Sequence, residues 1–121
     1  MKILFITHLK EKNIDETKKE YTPINDIVCD STLHGLREIF NEDVIDYPGS
    51  WYMYKDEVAK RAFDHSRLWG NGFTYYDTLK EYASIDRTDI KKKIKNNFFQ
   101  YIIYGSFTRS KLFFEDSLNS K

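Results

Sequence analysis

No charge of one sign dominates this chain: nineteen Lys and Arg balance nineteen Asp and Glu over 121 residues. A nucleic-acid-binding domain takes most of its affinity from phosphate contacts and counterion release, and so carries a basic excess. The balance here argues against a nucleic-acid partner. Cysteine is nearly absent. A single Cys29 excludes an intrachain disulfide, and a reducing compartment is the natural reading. Long apolar runs are missing as well. No stretch approaches the roughly 20 apolar residues that a membrane-spanning helix needs. The opening MKILFITHLKEKN has too short an apolar run for a signal peptide and no small-residue cleavage site. A cytoplasmic protein without a membrane span is expected.

The signatures of several common chemistries are also lacking. No G-x-G-x-x-G follows the first apolar run and no G-x-x-x-x-G-K-[ST] occurs, so the usual phosphate cradles are absent. Gly70-Asn71-Gly72 reads as a turn. His8, His34 and His65 are far apart, with no H-x-x-E-H or C-x-x-C spacing, and neither a metal nor another cofactor is expected. Ser106 stands in GSFTR, not in G-x-S-x-G. Cys29, next to Val28, reads as a small core residue.

Aromatic residues are what the chain has in quantity: nine Tyr, nine Phe and two Trp make 17% of it. Large rings fill a core with few residues, and Tyr suits positions packed on one edge and wet on the other. With 40% hydrophobic and 31% charged residues the chain is polar but not disordered. Its length suits one domain with one core.

Lys2 to Thr7 (KILFIT) reads as a strand buried on both faces, the pattern of a central parallel strand. His8 to Tyr21 is charged, lacks an apolar stripe, and reads as a mobile loop. A helix is predicted from about Pro23–Asp26, where Pro suits the first turn and Asn25 or Asp26 can cap it, to about Phe40. Ile24, Ile27, Val28, Leu36, Ile39 and Phe40 would form its inner face. Ser31 and Gly35 lie near that face, where close approach to the sheet would offset the ~1 kcal/mol cost of a helical glycine. Asn41-Glu42-Asp43 makes a polar turn into Val44–Tyr47 (VIDY), a second strand ended by Pro48-Gly49. Strand, helix, strand is a parallel βαβ unit.

Residues 50–84 read as an irregular, aromatic-rich insertion. A helix is expected from about Lys55 to Leu68, and Phe73 to Tyr82 is open between strand and helix. Asp86 or Thr88 can cap a helix bearing Ile90, Ile94 and Phe98 on one face. Phe99 to Tyr104 (FQYIIY) forms a third strand, stopped by Gly105-Ser106, and Thr108 to Leu118 is weakly helical. The predicted fold over 1–121 is a small Rossmann-like three-layer α/β domain with a mainly parallel sheet of three or four strands. Doubly wound sheets usually have five or six, so a second domain or a homodimer partner is expected.

In open parallel sheets ligands bind beyond the carboxyl ends of the strands. That rule selects Thr7 and His8, then Tyr47 and Pro48, then Gly105, Ser106 and Arg109, with Asn25, Asp26 and Asp30 on the same rim. Asp26, Asp30 and His34 recur every four residues, with Arg37 beside them. The stripe reads either as a carboxylate orienting an imidazole base or cation site, or as a cap followed by a salt-bridged face. Asp30 and His34 are the candidate catalytic pair. Asp26 and Asp30 would repel a phosphate from the helix start. In YPGSWYMY, directly after the second strand, Trp51, Tyr52 and Tyr54 are candidates for partner contact. Core or sheet-edge cover is the leading alternative for the same rings, ahead of ligand stacking.

Taken together, KILFIT, CDSTLHGLREIF, VIDYP, GFT and YIIYGS resemble the amino-terminal domain of uncharacterised bacterial proteins grouped with two-Rossmann-domain (GT-B type) glycosyltransferases. The resemblance runs from Lys2 to Arg109. It implies a domain that receives the acceptor, while a carboxyl-terminal domain holds most of the sugar nucleotide and no divalent metal is generally required. It points to His8 and the loop after it, Asp30, His34 and Gly105-Ser106 as cleft-facing. The 121 residues leave no room for the donor-binding half. The expected function is therefore a half-domain that binds an acceptor, a sugar or another small ligand, at the strand ends. Two readings stand beside it: a non-enzymatic α/β module that dimerises or docks a partner through its aromatic segment, and a complete small enzyme using Asp30 and His34.

Overall fold

Ile3, Leu4, Phe5 and Ile6 are all buried, which requires that the strand they form be covered on both faces. The computed structural model of the chain describes residues 1–7, 10–15, 18–22, 27–55, 75 and 77–120, with the backbone alone over 10–15 and 18–22. In chain order the elements are β1 (Ile3–Ile6), β2 (Lys10–Asp15), β3 (Lys18–Thr22), α1 (Ile27–Phe40), β4 (Val44–Tyr47), α2 (Ile90–Lys95), β5 (Tyr101–Tyr104) and α3 (Phe114–Leu118).

β1 lies in the middle of a three-stranded sheet of order β4-β1-β5. Both pairings are parallel, with Ile3 opposite Val44 on one side and Tyr101 on the other. Successive residues of a strand point to opposite faces, and the core divides accordingly. Ile3, Phe5 and Val44 pack with Cys29 and Leu33 of α1 and with Tyr52, Met53, Tyr54 and Leu79. Leu4, Ile6 and Ile45 pack on the other face with Ile90 and Ile94 of α2 and with Phe99. Each large side chain so buried contributes roughly 1.5–3 kcal/mol. The chain is thus a small α/β domain with an open, all-parallel sheet and helices on both faces.

The β1–α1–β4 unit, the polar turn at Asn41–Asp43 and the VIDY strand agree with the sequence reading. The reading of His8 to Tyr21 as a loop does not hold. β2 and β3 form an antiparallel hairpin with Lys12 opposite Glu20 and Asp15 opposite Lys18. Such a ribbon takes its bonds from the backbone and needs no apolar stripe, so hydrophobic periodicity gave no sign of it.

α1 keeps part of its predicted inner face, since Leu36 and Phe40 pack against the core, but the rest of that face, among the described residues, is turned outward. Cys29, Asp30, Leu33 and Arg37 are its buried residues, while Ile27, Val28 and Ile39 are exposed. Gly35 is not a point of close approach, since a Cβ there would meet nothing within 4 Å. α2 is shorter than expected. It closes at Lys95 with Asn97 in the left-handed region at φ 55°, a conformation Asn tolerates better than most residues. Phe98 is thereby exposed and its neighbour Phe99 buried. The third strand starts at Tyr101 and the last helix at Phe114.

Part of the aromatic insertion is also visible. Trp51–Met53 form a 3-10 turn, and Tyr54 makes a parallel bridge with Leu79, so the segment lies over the α1 face of the sheet. The expected helix from Lys55 to Leu68, apart from Lys55 itself, the Gly70–Gly72 turn, the GFT turn and the helix start at Pro23–Asp26 fall outside the described residues.

Candidate functional site

The carboxyl end of the sheet is held together by its own backbone. Thr7 N–H donates to Tyr47 C=O at 3.0 Å and Gly105 N–H to Ile6 C=O at 2.9 Å, so the three strand ends stay in register. The buried Thr7 hydroxyl donates to Pro48 C=O at 2.8 Å, across a cis Tyr47–Pro48 bond. Gly105 admits the first turn of α1: a Cβ there would lie 2.6 Å from Cys29 Sγ and 3.1 Å from Phe5 Cζ. Ser106 C=O then accepts from Arg109 N–H and Ser110 N–H at 3.1 and 3.0 Å. These bonds form the tight turn that carries Arg109 at the surface.

Cys29 and Asp30 bring the start of α1 over this rim. Asp30 is buried, and Tyr52 Oη donates to its Oδ1 at 2.5 Å. Burial first, and then the neighbouring Asp30 charge, raise the Tyr52 hydroxyl well above the ordinary tyrosine value, so at neutral pH it remains a donor to the carboxylate. His34, one turn on, is half-buried. Its Nε2 lies 3.9 Å from Glu38 Oε1, and its ring centroid is 4.9 Å from that of Tyr75.

Deeper, on the α1 face, sits a buried charge cluster. Asp46 is fully buried in β4. Its Oδ1 accepts from Tyr54 Oη at 2.6 Å, Arg87 Nη2 at 2.7 Å and Arg37 Nη2 at 3.2 Å. Its Oδ2 accepts from Ser50 N–H at 2.8 Å. The arginines do more than neutralise the carboxylate. Arg37 Nη2 donates to Val44 C=O at 3.0 Å and Arg87 Nε to Asp46 C=O at 2.9 Å. Both carbonyls lie on the side of β4 turned away from β1, so the two guanidiniums close that edge of the sheet. Unpaired edges invite association, and a charged cover is a common remedy.

The cluster is built to hold charge, not to move protons. Burial alone would raise the Asp46 carboxyl, but Arg87, Arg37 and the Tyr54 hydrogen bond bring it below its ordinary value. Burial and the Asp46 charge raise the Tyr54 hydroxyl. Arg87 is raised as well, the carboxylate outweighing the effect of burial. A general acid or base works best with a pKa near the operating pH, and these shifts carry each group further from it.

Of the residues singled out in the sequence, Tyr47 stands at the strand ends on one side of β1 and Gly105 and Ser106 on the other, with Arg109 on the adjoining turn. Asp30 is joined to Tyr52, whereas the contacts of His34 are with Glu38 and Tyr75. His8 and Asp26 lie outside the described residues. Tyr52 and Tyr54 are core residues and Trp51 is half-buried, which places two of the three proposed partner contacts inside the domain. Asp46, Tyr54 and Arg87 form a polar centre that the sequence reading missed. The available signal was a lone carboxylate in an otherwise buried strand, since such a charge must be paired. Among the described residues no group of three or more His, Cys, Asp or Glu is placed to hold a metal ion, and no helix is long and apolar enough to cross a membrane.

Comparison with protein-family models, with curated proteins and with solved structures gives no match to this chain.

Proposed function

We propose that this domain is the Rossmann-like half of a glycosyltransferase-like protein and binds an acceptor or other small ligand, of which a sugar is the leading class, at the carboxyl ends of its strands. The observation that carries the proposal is the strand order β4-β1-β5 with a helix on each face. The chain leaves β1 toward β4 by one face and returns past it to β5 by the other, so the connections part between β1 and β5. That divergence is where ligands bind in open parallel sheets. Thr7, Gly105 and Ser106 stand at its mouth, with Tyr47 beside them and Asp30 at the start of α1. The hairpin β2–β3 leaves the sheet from the same end, directly after β1.

An amide NMR titration of the labelled chain with nucleotides, sugar nucleotides and short glycans tests this. Saturable shifts clustered at Thr7, Asp30, Tyr47, Gly105 and Ser106 are expected from one of these ligand classes. Saturable shifts confined to another region, or none from a folded sample, would overturn it. The reading as an interaction module draws its support from the free edge of the sheet, where β5 has a neighbour on one side only among the described residues.

A further inference from the structure

The two edges of the sheet are treated differently. At β4 the outward carbonyls of Val44 and Asp46 are bound by Arg37 and Arg87. At β5 nothing comparable occurs among the described residues, and the strand is paired to β1 alone. The register and the bond from Gly105 N–H to Ile6 C=O turn the backbone groups of Tyr101 and Ile103 toward β1. In a parallel ladder the alternate residues then face away, so Ile102 and Tyr104 present N–H and C=O groups outward. Beside them runs an apolar groove of about 300 Å³ lined by Phe99, Tyr101, Ile102, Tyr104, Phe114 and Leu118. Tyr101 and Leu118 are 59% and 65% exposed.

We infer that β5 is the association edge of the domain and that its occupant is β5 of a second copy of the chain, paired antiparallel about a two-fold axis. Unpaired N–H and C=O groups at strand spacing are matched by another strand. With the axis at Ile103, Ile102 of each copy faces Tyr104 of the other. Each pair then exchanges the outward donors and acceptors. The axis stands across the sheet, so the helices α2 and α3 of both copies share one face and the groove is covered by its own counterpart.

Charge complementarity favours this arrangement. Glu115 and Asp116 open α3, close to the carboxyl end of β5, where the Phe114 ring packs on Phe107 and Phe107 on Tyr104. Lys92 and Lys95 belong to the last turn of α2, which leads to the amino end of β5. Lys111 stands with Glu115 and Asp116 there, so antiparallel pairing sets the partly charge-balanced end of one copy against the basic end of the other. Parallel pairing would set like ends together.

Sedimentation equilibrium of the full chain tests the inference, and it does so independently of any ligand at the strand ends. The wild-type chain is expected to dimerise reversibly. Ile102→Pro removes an outward N–H at a position where an edge strand tolerates proline, and should weaken the dimer at least about tenfold through its lost strand bonds. A melt by circular dichroism shows whether this variant still folds. If it does not, the double reversal Glu115→Lys, Asp116→Lys supplies the same test at the surface. Weakened association by that variant, restored by adding Lys92→Glu and Lys95→Glu, supports the pairing. A wild-type chain that stays monomeric at millimolar concentration overturns it, as does a dimer indifferent to the folded proline variant or, where that variant does not fold, to the charge reversals.

Discussion

Gly105, directly after β5, lies against Cys29 of α1, and the contact leaves no space for a methyl group. Its hypothetical Cβ would stand 2.6 Å from Cys29 Sγ and 3.3 Å from Ile6 C=O, and the second of these is backbone within the sheet. Gly105→Ala should therefore destabilise the domain by about 1–3 kcal/mol, the range for overpacking a filled core. Urea denaturation at constant pH measures it as a lower midpoint with an unchanged slope. Cys29→Ala in the same chain removes the nearest obstructing atom. The double variant should then be more stable than the sum of the single effects by about 0.5–3 kcal/mol. Wild-type stability in Gly105→Ala would mean that α1 can withdraw from the strand end at no cost.

At the level of the element, α1 shows which parts of the structure were legible in the sequence. Its existence and end, and the turn and strand after it, follow from helical spacing, the polar Asn41-Glu42-Asp43 and the apolar VIDY. Its inner face follows only in part: Leu36 and Phe40 pack against the core, but two of its buried residues, Asp30 and Arg37, are charged. Their partners lie outside the helix, Asp46 nine residues from Arg37 and Tyr52 22 residues from Asp30. Local periodicity cannot register a partner 22 residues away. The same limit hid the site's polar centre, while the strand-end rim was readable because it depends on topology alone. The helix makes a sharp contrast. Leu33→Ala should cost about 2–5 kcal/mol, as for a fully buried leucine, whereas Ile39→Ser, at a residue 70% exposed, should stay within about 0.5 kcal/mol of wild type. Paired urea curves would reveal the reverse order if the outer face were in fact the packed one.

For the whole molecule, Asp46 is the joint through which separate pieces of chain cohere. It binds Arg37 of α1, Tyr54 and Ser50 of the aromatic segment and Arg87 ahead of α2. Asp46→Asn leaves the buried Arg37 without its carboxylate and Arg87 with Glu81 alone, and removing one partner of a buried pair costs about 3–5 kcal/mol. That is a large share of the roughly 5–15 kcal/mol by which a domain is stable. The pH dependence follows from the lowered Asp46 carboxyl. The folded state holds this proton more weakly than the unfolded one. The stabilisation is therefore complete above the unfolded carboxylate value of about 4, and is lost as pH falls through the lower folded value. Asp43 and Asp86 are also lowered, Asp43 chiefly by its hydrogen bond from Lys2, and Asp86, to about 2, by that from Thr88. Both are at the surface, where salt screens their ion pairs over about 3 Å at 1 M. Urea denaturation between pH 6 and about 2 in molar salt should then show a larger acid-labile component in the wild type than in Asp46→Asn, which keeps the Thr88 hydrogen bonds to Asp86. Equal acid sensitivity in the two proteins would place the acid-labile interaction elsewhere and leave the buried cluster as mere filling of the α1 face.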